Sequence, residues 1–265
     1  QQQQQPNRGA QNIATGTATV ATFDATALER FGGLPAGARL VAGSLAVAGH
    51  PLNEFELADV TRLKPADLAM ALTLLGSSQF VSRLGARVGL AHERYAAAIE
   101  SSLASDELTT LHLRLAHLLA RVAANNPAMR IEAARHYEAA GNTLDACVQA
   151  TDAARFAALV GTVRSEAEAL ELVSRSSPAG RQVTGLSLGQ CYLELNDFEK
   201  LDRLCTSMAA EVAQSPSGTC ELDYLRIAAA AESGAAPMTE LQERLGEILA
   251  RGVEFPHERA AQVLL

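Results

Sequence analysis

The sequence predicts a mainly α-helical chain that carries one small β-hairpin. Three observations predict it. Of the 265 residues, 48% are hydrophobic but only 4% are aromatic and none is Trp, so the core has to be built largely from Ala and Leu. Both favour helices, and small side chains let helix pairs approach closely. Beyond residue 105 apolar positions recur at i, i+3, i+4 and i+7, the spacing of one helical face. Paired alternating runs occur in one place, QFVSRL and RVGLAH, joined by Gly85-Ala86.

The elements follow in order. Residues 1–25 read as a disordered or extended linker, because QQQQQPNRGAQ is polar and low in complexity. The TATVATF run within it has strand character but no hairpin partner nearby. Residues 26–104 form the first folded domain. ALERFGGLPAGARLVAGSLAVAG gives helix, turn, helix, broken at Leu34-Pro35 and closed by Gly49. NEFELADVTRL is a short helix opening at Asn53. KPADLAMALTLLGSS is another, with Pro65 in its first turn and Gly76 just past its end. The hairpin comes next, and the helix HERYAAAIESSL follows at once. The last three of these helices and then a two-stranded hairpin give the order of a winged helix-turn-helix.

Residues 105–265 read as helices alone. On SDELTTLHLRLAHLLARVAAN the residues Leu108, Leu111, Leu115, Leu118, Leu119 and Val122 keep one face, and Asn125-Asn126-Pro127 ends it. AMRIEAARHYEAAG stops at Gly141. TLDACVQATDAARFAALVG is expected to bury Leu144, Cys147, Val148, Thr151, Ala158 and Leu159. SEAEALELVSRS runs to Pro178. LSLGQCYLELN and FEKLDRLCTSMAAEV repeat the helical period, and two more helices centre on DYLRIAAAA and ELQERLGEILA. A repeat is visible when RHYEAAGNTLDA is set beside QCYLELNDFEKL. Tyr137 and Tyr192, Gly141 and Asn196, and Ala146 and Leu201 all stand 55 residues apart. Each set is an aromatic, a tight turn and a small or apolar residue on a second helix. This resembles the tetratricopeptide helical hairpin, whose period is about 34 residues. The longer offset implies an extra helix at 164–175. Such hairpins stack into a solenoid because no single pair buries its apolar face.

Several chemistries are excluded. The chain holds no Gly-Lys dipeptide, hence no phosphate-binding loop. His92-Glu93 would begin a zinc-protease motif, but the position of the second histidine is Ala96. No acid, base and nucleophile grouping is found, so the segment is read as not an enzyme. The cysteines Cys147, Cys191, Cys205 and Cys220 lie among apolar helical positions and read as reduced core residues, in keeping with a cytoplasmic setting. His112 and His117 lie off the main seam of their helix, and His136 beside Tyr137 lines a hairpin junction. With no i,i+4 histidine pair, no metal site is expected. His257 is also followed by Glu and Arg, so His-Glu-Arg can be a plain helix start. No apolar run of about 18 residues exists, so no membrane span is expected. The net charge of −8 argues against gripping a phosphate backbone. The helix in the reading position, ADLAMALTLLGSS, lacks the Lys, Arg, Asn and Gln that read base edges. A DNA-binding transcriptional regulator using the winged helix is therefore the alternative reading, and nucleic acid is not an expected partner of this segment.

Taken in order, LPAGARLVAGSLAVAGHPL, LTLLGSSQFVSRLGARVGLAHERYAAAI, LTTLHLRLAHLLA and AARHYEAAGNTLDACVQATDAARFA resemble the region that follows the ATPase core in bacterial STAND-type signal-transduction ATPases. Relatives of that kind include large LuxR-type regulators and kinases or cyclases fused to an ATPase and helical repeats. The resemblance implies a regulatory or sensor fragment of a longer protein, consistent with the polar start and with an end inside the helical run AAQVLL. It implies that the helical repeats bind a protein or small-ligand signal and that the winged helix relays this to an ATPase domain absent from the chain. It implies ATP or ADP in the parent and no cofactor in the fragment itself. In many members a histidine followed by an acidic residue faces the nucleotide and helps hold the ADP-bound resting state. Ala91-His92-Glu93 resembles that motif, with Glu where Asp is common and Ala where Met is common. The resemblance thus gives His92 the role of nucleotide phosphate sensing, which an imidazole can fill by donating a hydrogen bond to a phosphate oxygen.

Overall fold

The computed structural model of the chain is mainly helical, with a small three-stranded antiparallel sheet near the start of its described part. It describes residues 28–257 and Ala261. The linker expected at 1–25, the TATVATF run and most of the helix expected at the C-terminus lie outside these. The chain divides into two compact units between Leu118 and Leu119.

In the first unit, residues 28–32 are helical and the chain turns at Leu34-Pro35. Helix α1, Ala36–Ala48, is the buried centre, with Val41, Ala42 and Leu45 inside. Gly49 ends it in the left-handed conformation, φ 69°, which favours a residue without Cβ. Strand β1, Leu52–Asn53, then leads into α2, Glu54–Thr61. The Asn53 side chain accepts from the Glu56 N–H at 2.9 Å, and the Glu56 carboxylate accepts from the Asn53 N–H at 2.8 Å. Two helix-start donors are thereby satisfied reciprocally. Helix α3 is Pro65–Ser77, β2 Val81–Leu84, β3 Arg87–Leu90 and α4 Arg94–Ser102. Gly85, φ 63°, supplies the turn of the hairpin.

Several details differ from the sequence reading. The sheet has a third strand, in the order β1-β3-β2, because Leu52 pairs with Val88 and Asn53 with Arg87. Two residues are too short to carry an alternating pattern. Helix α3 runs through Gly76 rather than stopping before it. Gln79, φ 60°, takes the left-handed position, and the N–H of buried Phe80 reaches back to the Leu75 carbonyl at 3.0 Å. Packing Phe80 into the core sets this stop. Helix α5, Ser105–Val122, adds Leu111, Leu115 and Leu118 to the same core. Val122, expected on that face, is instead exposed at the last turn, where Leu119 and Ala123 face inward.

The second unit continues as helices α6 Pro127–Ala139, α7 Thr143–Val160, α8 Val163–Ser176, α9 Pro178–Glu194, α10 Phe198–Val212, α11 Pro216–Ser233 and α12 Met238–Ala250. The 55-residue offset corresponds to equivalent structure. Gly141 and Asn196 are both left-handed, at φ 76° and 56°. The Asn142 N–H bonds to the Tyr137 carbonyl, and the Asp197 N–H to the Tyr192 carbonyl, each at 2.9 Å. Asn142 and Asp197 then cap α7 and α10 by accepting from the N–H groups of Asp145 and Lys200. The helix expected at 164–175 is α8. Helix α9 starts earlier than its periodic stretch, because Ser177 caps it and Pro178 fits its first position.

The burial expected on α7 is inverted. Its inner face is Ala146, Ala150, Ala153, Ala154 and Ala157. Leu144 and Leu159 are 75% and 76% exposed, Val148, Thr151 and Ala158 are exposed as well, and Cys147 is only half-buried. Helix α7 lies between α6 and α8, and only methyl-sized side chains allow helices that close on two sides.

All four cysteines are free thiols, with Cys191, Cys205 and Cys220 buried. Burial pushes the Cys191 thiol up to about 12, helped by the charges of Glu166 and Glu194, and burial pushes Cys205 up to about 11. Above the ordinary thiol value, about 8.5, an unfolded chain releases protons that the folded one keeps, so stability falls as pH rises from there. At pH 8 a thiol reagent is expected to label one cysteine of the native chain, Cys147, with the others reacting only on unfolding. Rapid labelling of two or more, or labelling that survives Cys147→Ser, would contradict this packing.

Candidate functional site

His92 sits where the sheet hands over to a helix. Beyond the end of β3, the Ala91 N–H still bonds to the Phe80 carbonyl at 2.9 Å. The chain then bends, and the carbonyls of His92 and Glu93 accept from the N–H groups of Tyr95 and Ala96, opening α4. Tyr95 is buried, with its ring 5.1 Å from that of Phe80. The His92 imidazole meets the Tyr95 ring edge-on at 5.5 Å. His92 is exposed, and among the described residues no hydrogen bond reaches its ring nitrogens. A core aromatic therefore positions an imidazole whose polar atoms remain open to solvent. Glu93, Ala96, His50 and Leu84 line a neighbouring cavity of about 300 Å³, and His92 stands outside it.

The second His-Glu-Arg differs. The His257 Nδ1 lies 2.6 Å from Oε1 of Glu221, a carboxylate with no exposed surface. Gln190 donates to the same oxygen at 3.0 Å, and the His257 ring stacks on Tyr224 at 5.0 Å. Nothing local in the sequence signals this cluster, whose members come from α9, α11 and the segment after α12. His257 is tied into the fold, whereas His92 is presented.

The outward face of α3 carries Ala66, Asp67, Ala69, Met70 and Thr73, with no cation. The hairpin arginines are engaged with α2, Arg83 with Glu54 at 2.8 Å and Arg87 with Glu56 at 3.5 Å. Arg87 also donates to the Pro51 carbonyl at 2.8 Å. A duplex would meet acidic and apolar groups here rather than free donors.

In the second unit a groove opens among α8, α9 and α10. Tyr192, the residue that marks the repeat, donates its hydroxyl to Glu171 at 2.9 Å, and Lys200 meets the same carboxylate at 2.9 Å. Burial, then the bond to Glu171, pushes the Tyr192 phenol up, so it stays a donor. Among the described residues no helix is long and apolar enough to cross a membrane. No family model, curated protein or solved structure matches the chain.

Proposed function

We propose that the chain is the regulatory, signal-sensing part of a cytoplasmic signal-transduction ATPase. In this reading the first unit is a winged helix-turn-helix. The order helix, strand, two helices and two strands supports it, with β1 as the third strand of the wing sheet. The second unit is a tetratricopeptide-like array, supported by the two equivalent hairpin turns closed by the same backbone bond. The array receives a protein or small ligand. That event changes how the winged helix packs on a nucleotide-binding core elsewhere in the parent protein, shifting its ADP- and ATP-bound populations.

The observation that carries the reading is the exposed imidazole of His92, met edge-on by Tyr95 and with no hydrogen bond to its ring nitrogens among the described residues. The DNA-regulator alternative requires a salt-dependent affinity for duplex DNA, and the α3 face and the paired hairpin arginines supply little for it. The test of the proposed role is the ADP affinity of the parent protein, which His92→Ala is expected to lower.

A further inference from the structure

We propose that a cavity in the first unit binds a free α-amino acid with an apolar side chain, an inference independent of the role given to His92. The cavity encloses about 420 Å³ between α1, the end of α4 and the first half of α5. Small-molecule sites usually measure about 300–1,000 Å³. Arg39 of α1 and Arg114 of α5 line it, and so do Asp106 and Glu107 in the first turn of α5.

These opposite charges share the cavity without closing on one another. Arg39 is exposed and Arg114 half-buried, and among the described residues neither guanidinium pairs with a carboxylate. By contrast, Arg62, Arg83 and Arg87 of the same unit pair with Asp59, Glu54 and Glu56. Arg114 donates one N–H to the Val60 carbonyl at 3.1 Å, which leaves most of its planar fork of donors unused. Asp106 stands about 12 Å back along the axis of α5, too far to reach Arg114 directly. Its carboxylate accepts from no donor among the described residues, and Glu107 accepts only from the Ala104 N–H at 3.3 Å. A molecule carrying both a carboxylate and an ammonium satisfies the arginines with one group and the acids with the other. The carboxylate can accept from two N–H groups of one guanidinium side by side.

The rest of the lining decides which zwitterion fits. Buried Phe31 and Leu111, with half-buried Leu40 and Leu103, supply its apolar part. An apolar side chain of the ligand covers that surface. A phosphate ion would leave it bare and would meet two carboxylates as well as two arginines. A simple amine would leave both arginines without a counter-charge.

The test is isothermal titration of the full chain with L-leucine and with L-phenylalanine. N-acetyl-L-leucine, which lacks the ammonium, 3-methylbutylamine, which lacks the carboxylate, and inorganic phosphate are titrated beside them. At least one of the two amino acids is expected to bind, and the acetylated form, the amine and phosphate to bind at least about tenfold more weakly. Arg39→Gln and Asp106→Asn are each expected to weaken the amino acid by about tenfold. Both positions are exposed, so the fold is expected to survive, which circular dichroism checks. Arg203→Gln, an exposed cation of the second unit paired with Glu199, is expected to leave binding unchanged. Binding of neither amino acid, equal binding of the acetylated form, the amine or phosphate, or unchanged affinity in either cavity variant would overturn the proposal. None of these results bears on the ADP affinity governed by His92, so the two readings fail separately.

Discussion

His257→Ala is expected to lower the unfolding free energy by about 3 kcal/mol, because it strands a buried carboxylate. Glu221 has no exposed surface, and its Oε1 is shared between His257 and Gln190. Its Oε2 already lacks a partner among the described residues. Removing the imidazole leaves one neutral amide to hold the charge and takes away the ring stacked on Tyr224. The cost arises from the partner left behind, so it is asymmetric. Adding Glu221→Leu to His257→Ala is expected to recover more than half of the loss, since an apolar side chain removes the buried carboxylate that the first change leaves without its partner. Urea denaturation of the two single variants and the double variant completes the cycle. A His257→Ala midpoint equal to that of the wild type would mean the pair contributes nothing.

Gly189→Leu is expected to destabilise by about 3 kcal/mol, through overpacking rather than loss of a contact. Gly189 lies inside α9 and is buried. A Cβ there would stand 2.8 Å from Cδ1 of Leu225 and 3.4 Å from Cδ1 of Leu201, both fully buried. One turn earlier, a Cβ on Gly185 would come within 2.4 Å of the Met208 sulfur. These two glycines let α9 press against α10 and α11, at the expense of helix propensity. The contrast is Gly246 in α12, where an added Cβ meets nothing within 4 Å. Gly246→Ala is expected to stabilise by about 0.5–1 kcal/mol, the ordinary helix-interior value. The opposite signs are the diagnostic result. If Gly189→Leu is tolerated like Gly246→Ala, the close approach of α9 is wrong.

Local chemistry made much of this fold legible. Asn53 with Glu56, Pro65, Gly85 and Asn126-Pro127 each fix a boundary through neighbours in sequence, and each boundary lies where that chemistry puts it. The 55-residue offset was legible for the same reason, because a left-handed residue after an aromatic is a local device. What escaped depends on partners distant in the chain. Strand β1 exists only because Val88 and Arg87 lie beside it. Helix α7 misled because a periodicity of large apolar residues points to the wrong face when the tight packing is done by alanine. The cavity of the first unit draws its arginines from α1 and α5, where single Arg residues read as ordinary solvated surface. Glu221 and His257 are 36 residues apart and share no motif. At His92 the pattern located a residue that the fold does expose, while its bracing by Tyr95 came from the core.

The most direct measurement of the central claim is isothermal titration of ADP into the longer protein proposed to carry the ATPase core, as wild type and as His92→Ala. If the exposed imidazole meets a phosphate oxygen, the variant is expected to bind ADP about tenfold more weakly, the loss of one charge-assisted hydrogen bond. Equal ADP affinity in the two proteins would contradict a nucleotide-sensing role for His92 and, with it, the reading of this chain as the regulatory part of an ATPase.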